Sequence, residues 1–189
     1  MNKLYFLRHF ATKNNINGII SGNSNVDVAD LERKRFSKKC PISIILCSSL
    51  NRCIDTMECY INDTKFTGKY TICDDLKERD MGCLNGKSKS QAVSEHPMLF
   101  ERVDNNIMFN VFKTPPNGES YFDFRKRVER FIDRTDLFSE NYLICSHNQT
   151  LKMIYHIINR IDITLNSWRS LNFENGEVYE IENDKWRKI

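Results

Sequence analysis

The sequence lacks the features that mark several classes of protein. None of its apolar runs approaches the roughly 18 residues that a membrane-spanning helix needs. It does not open with a basic segment followed by an apolar core, so no signal peptide is expected. The basic residues are dispersed and the net charge is only +3, which does not favour nucleic-acid binding. These absences predict a cytoplasmic protein without membrane or nucleic-acid partners and leave its oligomeric state open.

The sequence also lacks the spacing of a metal site. It has seven cysteines and four histidines, but the cysteine count is odd, no C-x-x-C occurs and no two histidines are clustered. A zinc site is therefore not expected, and the cysteines are predicted to be free thiols in a reducing compartment. Because there is no internal repeat, low-complexity tract or linker, residues 1–189 are predicted to form one domain.

What the sequence does contain is apolar strands that end on polar residues. Leu4 to Leu7 is apolar throughout, which predicts a strand buried on both faces, and Arg8 and His9 follow it directly. Tyr142 to Cys145 repeats this pattern, with His147 just beyond it. Ligands of open α/β sheets bind at the carboxyl ends of strands. Both strand ends are therefore candidate site positions.

Helical patterns alternate with these strands. A second strand at Pro41–Leu46 precedes a helical stripe, for which Ser48 or Ser49 is the expected N-cap and Arg52 lies in the first turn. The alternation predicts an α/β fold with helices on both faces of the sheet. The other expected elements are a basic helix at 31–39, a strand at 69–73, a weak helix at 88–103, an amphipathic helix from Tyr121 and an alternating edge strand at 176–181.

Four short motifs stand near these strand ends. In chain order they are Leu7-Arg8-His9 with Asn15 and Ser21-Gly22, Ser48-Ser49-Leu50 with Arg52 and Thr56, Leu76 to Gly86 with Glu78, and Ser146-His147-Asn148. Together they resemble the motifs of the histidine phosphatase superfamily, which contains the cofactor-dependent phosphoglycerate mutases and many phosphatases. The resemblance implies a phosphoglycerate mutase-like fold, a three-layer α/β/α sandwich with a mostly parallel central sheet.

The resemblance also implies a chemistry, that of a histidine acid phosphatase-type phosphoric monoester hydrolase. Such an enzyme acts on a small phosphorylated metabolite and needs no metal and no cofactor. The implied roles are His9 as nucleophile, Glu78 as proton donor, Arg8, Arg52 and His147 as phosphate-binding and catalytic cations, and Asn15, Ser21, Gly22 and Asn148 as further phosphate-binding residues. Independently of any family, two arginines and two histidines that converge on one rim repel each other unless an anion binds between them.

Two positions depart from the superfamily pattern, which usually has glycine after each catalytic histidine. Phe10 follows the first histidine, so that position is expected to have an ordinary φ or an adjusted backbone, and the ring is expected to narrow the pocket or form an apolar wall. Asn148 follows the second histidine and is expected to keep the glycine's backbone shape, because asparagine tolerates positive φ better than most residues.

Two other functions stay open at this point. A phosphoglycerate mutase-type phosphotransferase is favoured by Arg79 directly after Glu78 and by the residues that follow His147. Against it, the segment from Gly86 to Pro116 is short and lacks the paired arginines that mutases use for a second anionic group. An inactive phosphate-binding module is suggested only by Phe10.

Overall fold

The computed structural model describes residues 2–37, 40–103, 105–182 and 185–189. Its strands are β1 (Leu4–Arg8), β2 (Ile44–Ser48), β3 (Lys69–Cys73), β4 (Phe100–Val103), β5 (Asn106–Phe109), β6 (Tyr142–Ser146), β7 (Val178–Glu182) and β8 (Lys185–Lys188). Six of them form one sheet in the order β3-β2-β6-β1-β7-β8, and β4 pairs only with β5. The first four strands of that order are parallel, whereas β7 and β8 are antiparallel to their neighbours.

Helices cover both faces of this sheet. They are α1 (Lys13–Ile16), α2 (Asn51–Thr64), α3 (Lys89–Glu95), α4 (Tyr121–Thr135), α5 (Asn148–Ile158) and α6 (Leu165–Ser170). The fold is therefore the expected three-layer α/β/α sandwich with a mostly parallel sheet. Within the described ranges, no helix is both long and apolar enough to cross a membrane.

Strand β1 is buried on both faces, as its unbroken apolar run predicts. Phe6 packs into the core beneath α4 and α5, and Leu7 packs into the core beneath α2. Both side chains are fully buried. Burying one such side chain stabilises the fold by about 1.5–3 kcal/mol. Truncating Phe6 to alanine should cost about 3–5 kcal/mol, because a cavity adds to the lost transfer energy.

The strand register brings three strand ends together. Arg8 of β1 lies opposite Ser146 of β6, and Cys47 of β2 lies opposite Cys145 of β6. Because these strands are parallel, the residues that follow them emerge at the same edge of the sheet. This is the edge at which the sequence predicts a site.

Several local expectations are wrong. The strand near residue 178 is not an edge, because β8 pairs with it, and four of its five residues are buried rather than alternating. The expected helix at 31–39 is only a 3₁₀ turn at Asp30–Glu32, residues 33–37 are not helical, and Lys38 and Lys39 lie outside the described residues. The segment 88–103 divides into α3, a 3₁₀ turn at Pro97–Leu99 and β4.

Candidate active site

His9 lies just beyond β1 with its two ring nitrogens in different environments. Nδ1 lies 2.6 Å from the carbonyl oxygen of Phe10 and, because a carbonyl only accepts, must be the protonated nitrogen. Nε2 is then unprotonated and accepts a hydrogen bond from Arg52 Nε at 3.3 Å. Burial, followed by the charges of Arg52 and Arg8, lowers the pKa of His9 well below 6.5. His9 is therefore a neutral imidazole with an available lone pair at Nε2.

Arg52, in the first turn of α2, links the two histidines. Its Nε contacts His147 Nδ1 at 3.2 Å as well as His9, while Nη1 donates to the Ser24 carbonyl at 2.6 Å and Nη2 to the Gly22 carbonyl at 2.8 Å. These partners are carbonyl oxygens and neutral rings, none of them a carboxylate. The guanidinium charge is therefore held firmly in place but not neutralised.

His147 stands at the N-cap position of α5, 5.1 Å from His9 between ring centroids. Because Nδ1 accepts from Arg52, Nε2 carries the hydrogen and donates to Ser48 Oγ at 2.8 Å. Burial and the neighbouring arginine charges lower the pKa of His147 well below 6.5. The ring is therefore neutral in this geometry, whereas the sequence analysis counted it among the cations.

Arg8 completes the cationic group from the end of β1. Its Nη1 donates to the Phe173 carbonyl at 2.7 Å, and its Nε is buried without a hydrogen-bond partner among the described residues. Burial lowers the pKa of Arg8 below its ordinary value. An unpaired N–H in a buried guanidinium is costly unless an acceptor binds there. An anion bound beside Arg8 would supply the acceptor that this N–H lacks.

Glu78 lies at the amino-terminal end of α5, next to His147. Its Oε1 accepts from the backbone N–H groups of Arg79 and Thr150 and from Thr150 Oγ1, at 3.1–3.2 Å. Its Oε2 accepts from Gln149 N at 3.2 Å. Helix N-termini favour negative charge, so this carboxylate also stabilises α5. Oε2, with one partner, has the spare acceptor capacity that proton transfer requires.

Two arginines, Arg127 and Arg79, hold the loop that carries Glu78 through hydrogen bonds. Arg127 of α4 donates to both Glu119 oxygens at 2.8 Å and to the carbonyls of Asp75 and Lys77. Arg79 is fully buried and donates to the carbonyls of Val111, Lys113 and Glu119. Glu119 thus orients an arginine.

The comparison with known families decides the identity of this fold. A model of the histidine phosphatase superfamily (branch 1) matches residues 4–188. The chain belongs to the histidine phosphatase superfamily.

Several relatives of the chain carry phosphatase names. A Hydrogenobacter thermophilus protein, whose name assigns it provisionally to phosphoserine phosphatase, is 29% identical over 191 residues, which cover 96% of this chain and 89% of that protein. The adenosylcobalamin/alpha-ribazole phosphatase of Escherichia coli K12 is 26% identical over 160 residues, or 80% and 76% of the two chains. The solved mycobacterial glucosyl-3-phosphoglycerate phosphatase has a TM-score of 0.72 at 17% identity, covering 99% of this chain and 96% of that one, and shows a shared fold.

The two departures from the superfamily's glycines are accommodated without unusual backbone. Neither Phe10 nor Asn148 is among the described residues with positive φ, so the expectation that Asn148 keeps a glycine-like backbone is wrong; it simply begins α5. Phe10 is fully buried, stacks on Phe36 at 5.4 Å and lies against Gly176. Its ring therefore occupies the core, and the expected narrowing of the pocket does not follow.

Three of the expected phosphate-binding side chains are engaged elsewhere. Asn15 forms a capping box with Thr12, Ser21 Oγ accepts from Asn14, and the side chain of Asn148 bonds to the segment before β7. Gly22 does belong to the site, but through the carbonyl that holds Arg52. The structure thus brings together His9, Arg8, Arg52, His147, Glu78 and Gly22.

Sequence analysis missed two groups of residues in this superfamily site. Ser48, expected to cap α2, instead holds His147, and Leu50 is the N-cap of α2. The segment 172–176 contacts β1 through Phe173, through Asn175 Nδ2 to the His9 carbonyl at 2.8 Å, and through Gly176 N to the Arg8 carbonyl at 2.9 Å. No residue pattern in this segment signals such contacts.

Proposed function

We propose that the protein is a metal-independent phosphomonoesterase that forms a phosphohistidine on His9. The observation that carries the proposal is the neutral His9, whose Nε2 lone pair faces Arg52 beside an Arg8 with an unpartnered Nε. Neither arginine has a carboxylate partner among its described contacts. A phosphoryl dianion supplies the acceptor oxygens that these groups lack.

The reaction follows from these positions. The Nε2 lone pair of His9 attacks phosphorus while the ester P–O bond breaks, and Glu78, which has to enter this step as the carboxylic acid, gives its proton to the departing alkoxide. Glu78 then takes a proton from water, which attacks phosphorus and breaks the P–N bond to release inorganic phosphate. Arg8 and Arg52 stabilise the charge on the equatorial oxygens throughout. His147 adds a hydrogen-bonding ring and becomes cationic only if the bound dianion raises its pKa.

An acid phosphatase-type enzyme fits this arrangement. Because burial and the two arginines keep the pKa of His9 well below 6.5, its Nε2 stays unprotonated in mildly acidic solution. Among the described residues no group of three or more His, Cys, Asp or Glu side chains could hold a metal ion. We therefore assign the electrostatic work to protein side chains, and we expect EDTA to leave the rate unchanged.

Hydrolysis is favoured over mutase chemistry by the charges beside Glu78. A cavity of about 470 Å³ opens there, and Asn23 continues its wall toward the loop that holds Arg52. The charged residues of its described lining are acidic in five cases and basic in two: Asp74, Asp75, Glu78, Asp80 and Glu119, against Lys77 and Arg127. Such a wall repels the second anionic group of a bisphosphorylated intermediate.

Of three basic residues that could serve a mutase, two make other contacts and the third is exposed. Arg79 is buried among three carbonyls, Lys87 pairs with Glu95 at 2.7 Å, and Lys89 is exposed at the start of α3. We therefore propose that the substrate is a small phosphate monoester whose leaving group carries no second phosphate or carboxylate.

The test traps the intermediate. Wild-type protein mixed with a ³²P-labelled monoester and quenched in base should carry acid-labile label on His9, and His9→Ala should lose turnover by about 10⁶-fold, as expected for a nucleophile. His96→Ala, which changes a histidine bonded to Cys83 outside the site, is the matched control and should be labelled normally. Full turnover by His9→Ala would overturn the proposal.

A second assay separates hydrolysis from transfer. The protein is incubated with 3-phosphoglycerate and catalytic 2,3-bisphosphoglycerate, and separately with sugar and alcohol phosphates. We expect inorganic phosphate from the second set. Rapid interconversion of phosphoglycerate isomers with negligible free phosphate would favour the mutase, and no reaction with either set would favour the inactive binding module.

A further inference from the structure

The side chain of Asn148 connects the start of α5 to the segment before β7. Its Oδ1 accepts from the Phe173 backbone N–H at 3.2 Å, and its Nδ2 donates to Asn172 Oδ1 at 3.0 Å. The amide orientation is fixed by chemistry, because a backbone N–H can only donate. Both functions of the Asn148 amide are thus used on one segment, and neither is directed at a substrate.

The carbonyl of Phe173, which belongs to the following peptide unit, holds a guanidinium of the site. The Phe173 carbonyl accepts from Arg8 Nη1 at 2.7 Å. The Phe173 ring is fully buried and packs edge-on against Phe6 at 5.4 Å and Tyr179 at 5.1 Å. Packing therefore fixes this residue's side chain, while Asn148 fixes the amide that precedes it. The orientation of the segment, and of the carbonyl it presents, depends on both.

The orientation of Arg8 matters because its guanidinium is planar. Once Nη1 is fixed on the Phe173 carbonyl, the direction of the buried and unpartnered Nε is set as well. A forked donor that is pre-oriented loses less entropy when it binds a phosphoryl group. A contact that fixes the Phe173 carbonyl would therefore improve phosphate binding without touching the phosphate.

We propose that Asn148 is a positioning residue that orients Arg8 through the backbone of Phe173, whose N–H it holds and whose carbonyl holds Arg8. The inference rests on the proposed function only in taking a phosphoryl group as the ligand of Arg8. Glycine, which is usual at this position in the superfamily, has no side chain that could make these bonds. The departure that made Asn148 look like an imperfect match therefore supplies a contact that fixes an anion-binding arginine.

The experiment is a double-mutant cycle between Asn148 and Arg8, with binding of inorganic phosphate measured by calorimetry. Asn148→Ala should raise the phosphate Kd about fivefold to twentyfold and lower kcat/KM by a similar factor. In an Arg8→Met background the same Asn148→Ala change should alter the phosphate Kd by less than about twofold, because the arginine it orients is gone. A residue that merely stabilises the fold would weaken binding equally in both backgrounds.

Two further variants keep the cycle interpretable. Asn159→Ala removes a comparable asparagine at the other end of α5, where Nδ2 donates to the Tyr155 carbonyl at 2.9 Å, and should leave phosphate binding unchanged. Asn172→Ala keeps the bond to the Phe173 N–H and should weaken binding less than Asn148→Ala does. Thermal unfolding of each variant establishes that it is folded before binding is measured.

The outcomes separate this proposal from the phosphatase proposal, because phosphate binding needs no turnover. Coupling between Asn148 and Arg8 without product formation by the wild type would overturn hydrolysis alone. Additive losses, or an unchanged Kd in Asn148→Ala, would overturn the positioning role alone. Failure of the wild-type protein to bind phosphate would overturn both.

Discussion

Arg52 and Arg127 both lie on helices beside the site, and both use their guanidinium groups to hold loop carbonyls. Arg127 also makes a two-bond ion pair with Glu119, so its charge is neutralised. The partners of Arg52 are two carbonyls and two neutral imidazoles. A buried charge without a counterion is costly for the fold. The same residue type is thus ion-paired in one place and without a carboxylate partner among its described contacts in the other.

The same difference separates the two ends of the site. At the end that holds Arg8, Arg52 and His9, the described contacts of the two arginines include no carboxylate, and Arg52 and His9 are almost completely buried. Around Glu78 the lining is acidic and open toward solvent. Under the proposed function, the first end would bind a phosphoryl dianion, whereas the acidic second end would repel a further anionic group. Catalysis and selectivity should therefore respond to different substitutions.

Of the substitutions that compare the two ends, Glu78→Gln has the largest expected effect, and it tests whether catalysis and selectivity depend on different residues. Loss of the general acid should slow kcat by about 10²–10⁴-fold for alkyl phosphates. The loss should be smaller for aryl phosphates, because their leaving groups need less protonation. The measurement is kcat across a series of esters with leaving groups of graded pKa.

Glu119→Gln is the matched control for that series. Glu119 holds Arg127, which holds the carbonyls on the Glu78 loop, so this variant should slow alkyl and aryl esters by the same factor. Equal slowing of both classes by Glu78→Gln would remove the proton-donor role from Glu78.

A second test replaces each of two arginines, Arg52 and Arg127, with glutamine. Arg52→Gln should lower kcat/KM by about 10²–10³-fold, as for one lost transition-state donor, and should abolish the rise in Tm that inorganic phosphate produces. Arg127→Gln leaves Glu119 without its counterion and should instead lower Tm while keeping the phosphate-induced rise. If both variants kept that rise, Arg52 would be another structural clamp.

How far the sequence predicted this site depends on the kind of contact involved. Arg8, His9, Arg52 and His147 can be found because apolar strands end and helical stripes begin next to them, and such patterns report burial and periodicity directly. Glu78 was found only through the superfamily resemblance, since a charged loop with glycines has no other signature. Its implied role, like those of the others, stays a prediction.

Two contacts that the sequence could not predict are long-range bonds, one to a single hydroxyl and one to a backbone carbonyl. Ser48 meets His147 across two strands, and the Phe173 carbonyl meets Arg8 from 165 positions away in the chain. Any residue supplies a carbonyl, so no residue type marks the place. The interior position of β7 was missed for a related reason, because strand order depends on β8 pairing with it rather than on its own alternation.

A third and smaller test concerns selectivity at the acidic end. Asp75 lines the cavity beside Glu78, and its nearest cations, Arg130 and Arg134, are 3.7 and 4.0 Å away. Asp75→Lys should raise the ratio of kcat/KM for 3-phosphoglycerate to that for glycerol phosphate by about threefold to tenfold, the effect of about 1 kcal/mol of charge interaction. Asp162→Lys, beyond the far end of α5, should leave the ratio unchanged. An unchanged ratio in Asp75→Lys would mean that this wall does not face the leaving group.

The last test concerns a pH dependence of stability to which His9 and His147 contribute. The folded-state pKa values of His9 and His147 lie below the ordinary value of 6.5, chiefly because both rings are buried. Below pH 6.5 the unfolded chain therefore binds protons that the folded protein does not, and stability falls as pH falls. Each histidine contributes at most about 1.4 kcal/mol per pH unit. The paired carboxylates add their losses only below pH 4.5, because salt bridges lower the pKa of groups such as Glu180.

Urea unfolding between pH 7 and 5 should show this decline in the stability of the wild-type protein. The decline should be flatter in the His9→Gln/His147→Gln double variant, and saturating phosphate should reduce it in the wild type. A wild-type stability that does not change over this interval would mean that the two rings are protonated in the folded protein, and the neutral nucleophile would have to be abandoned.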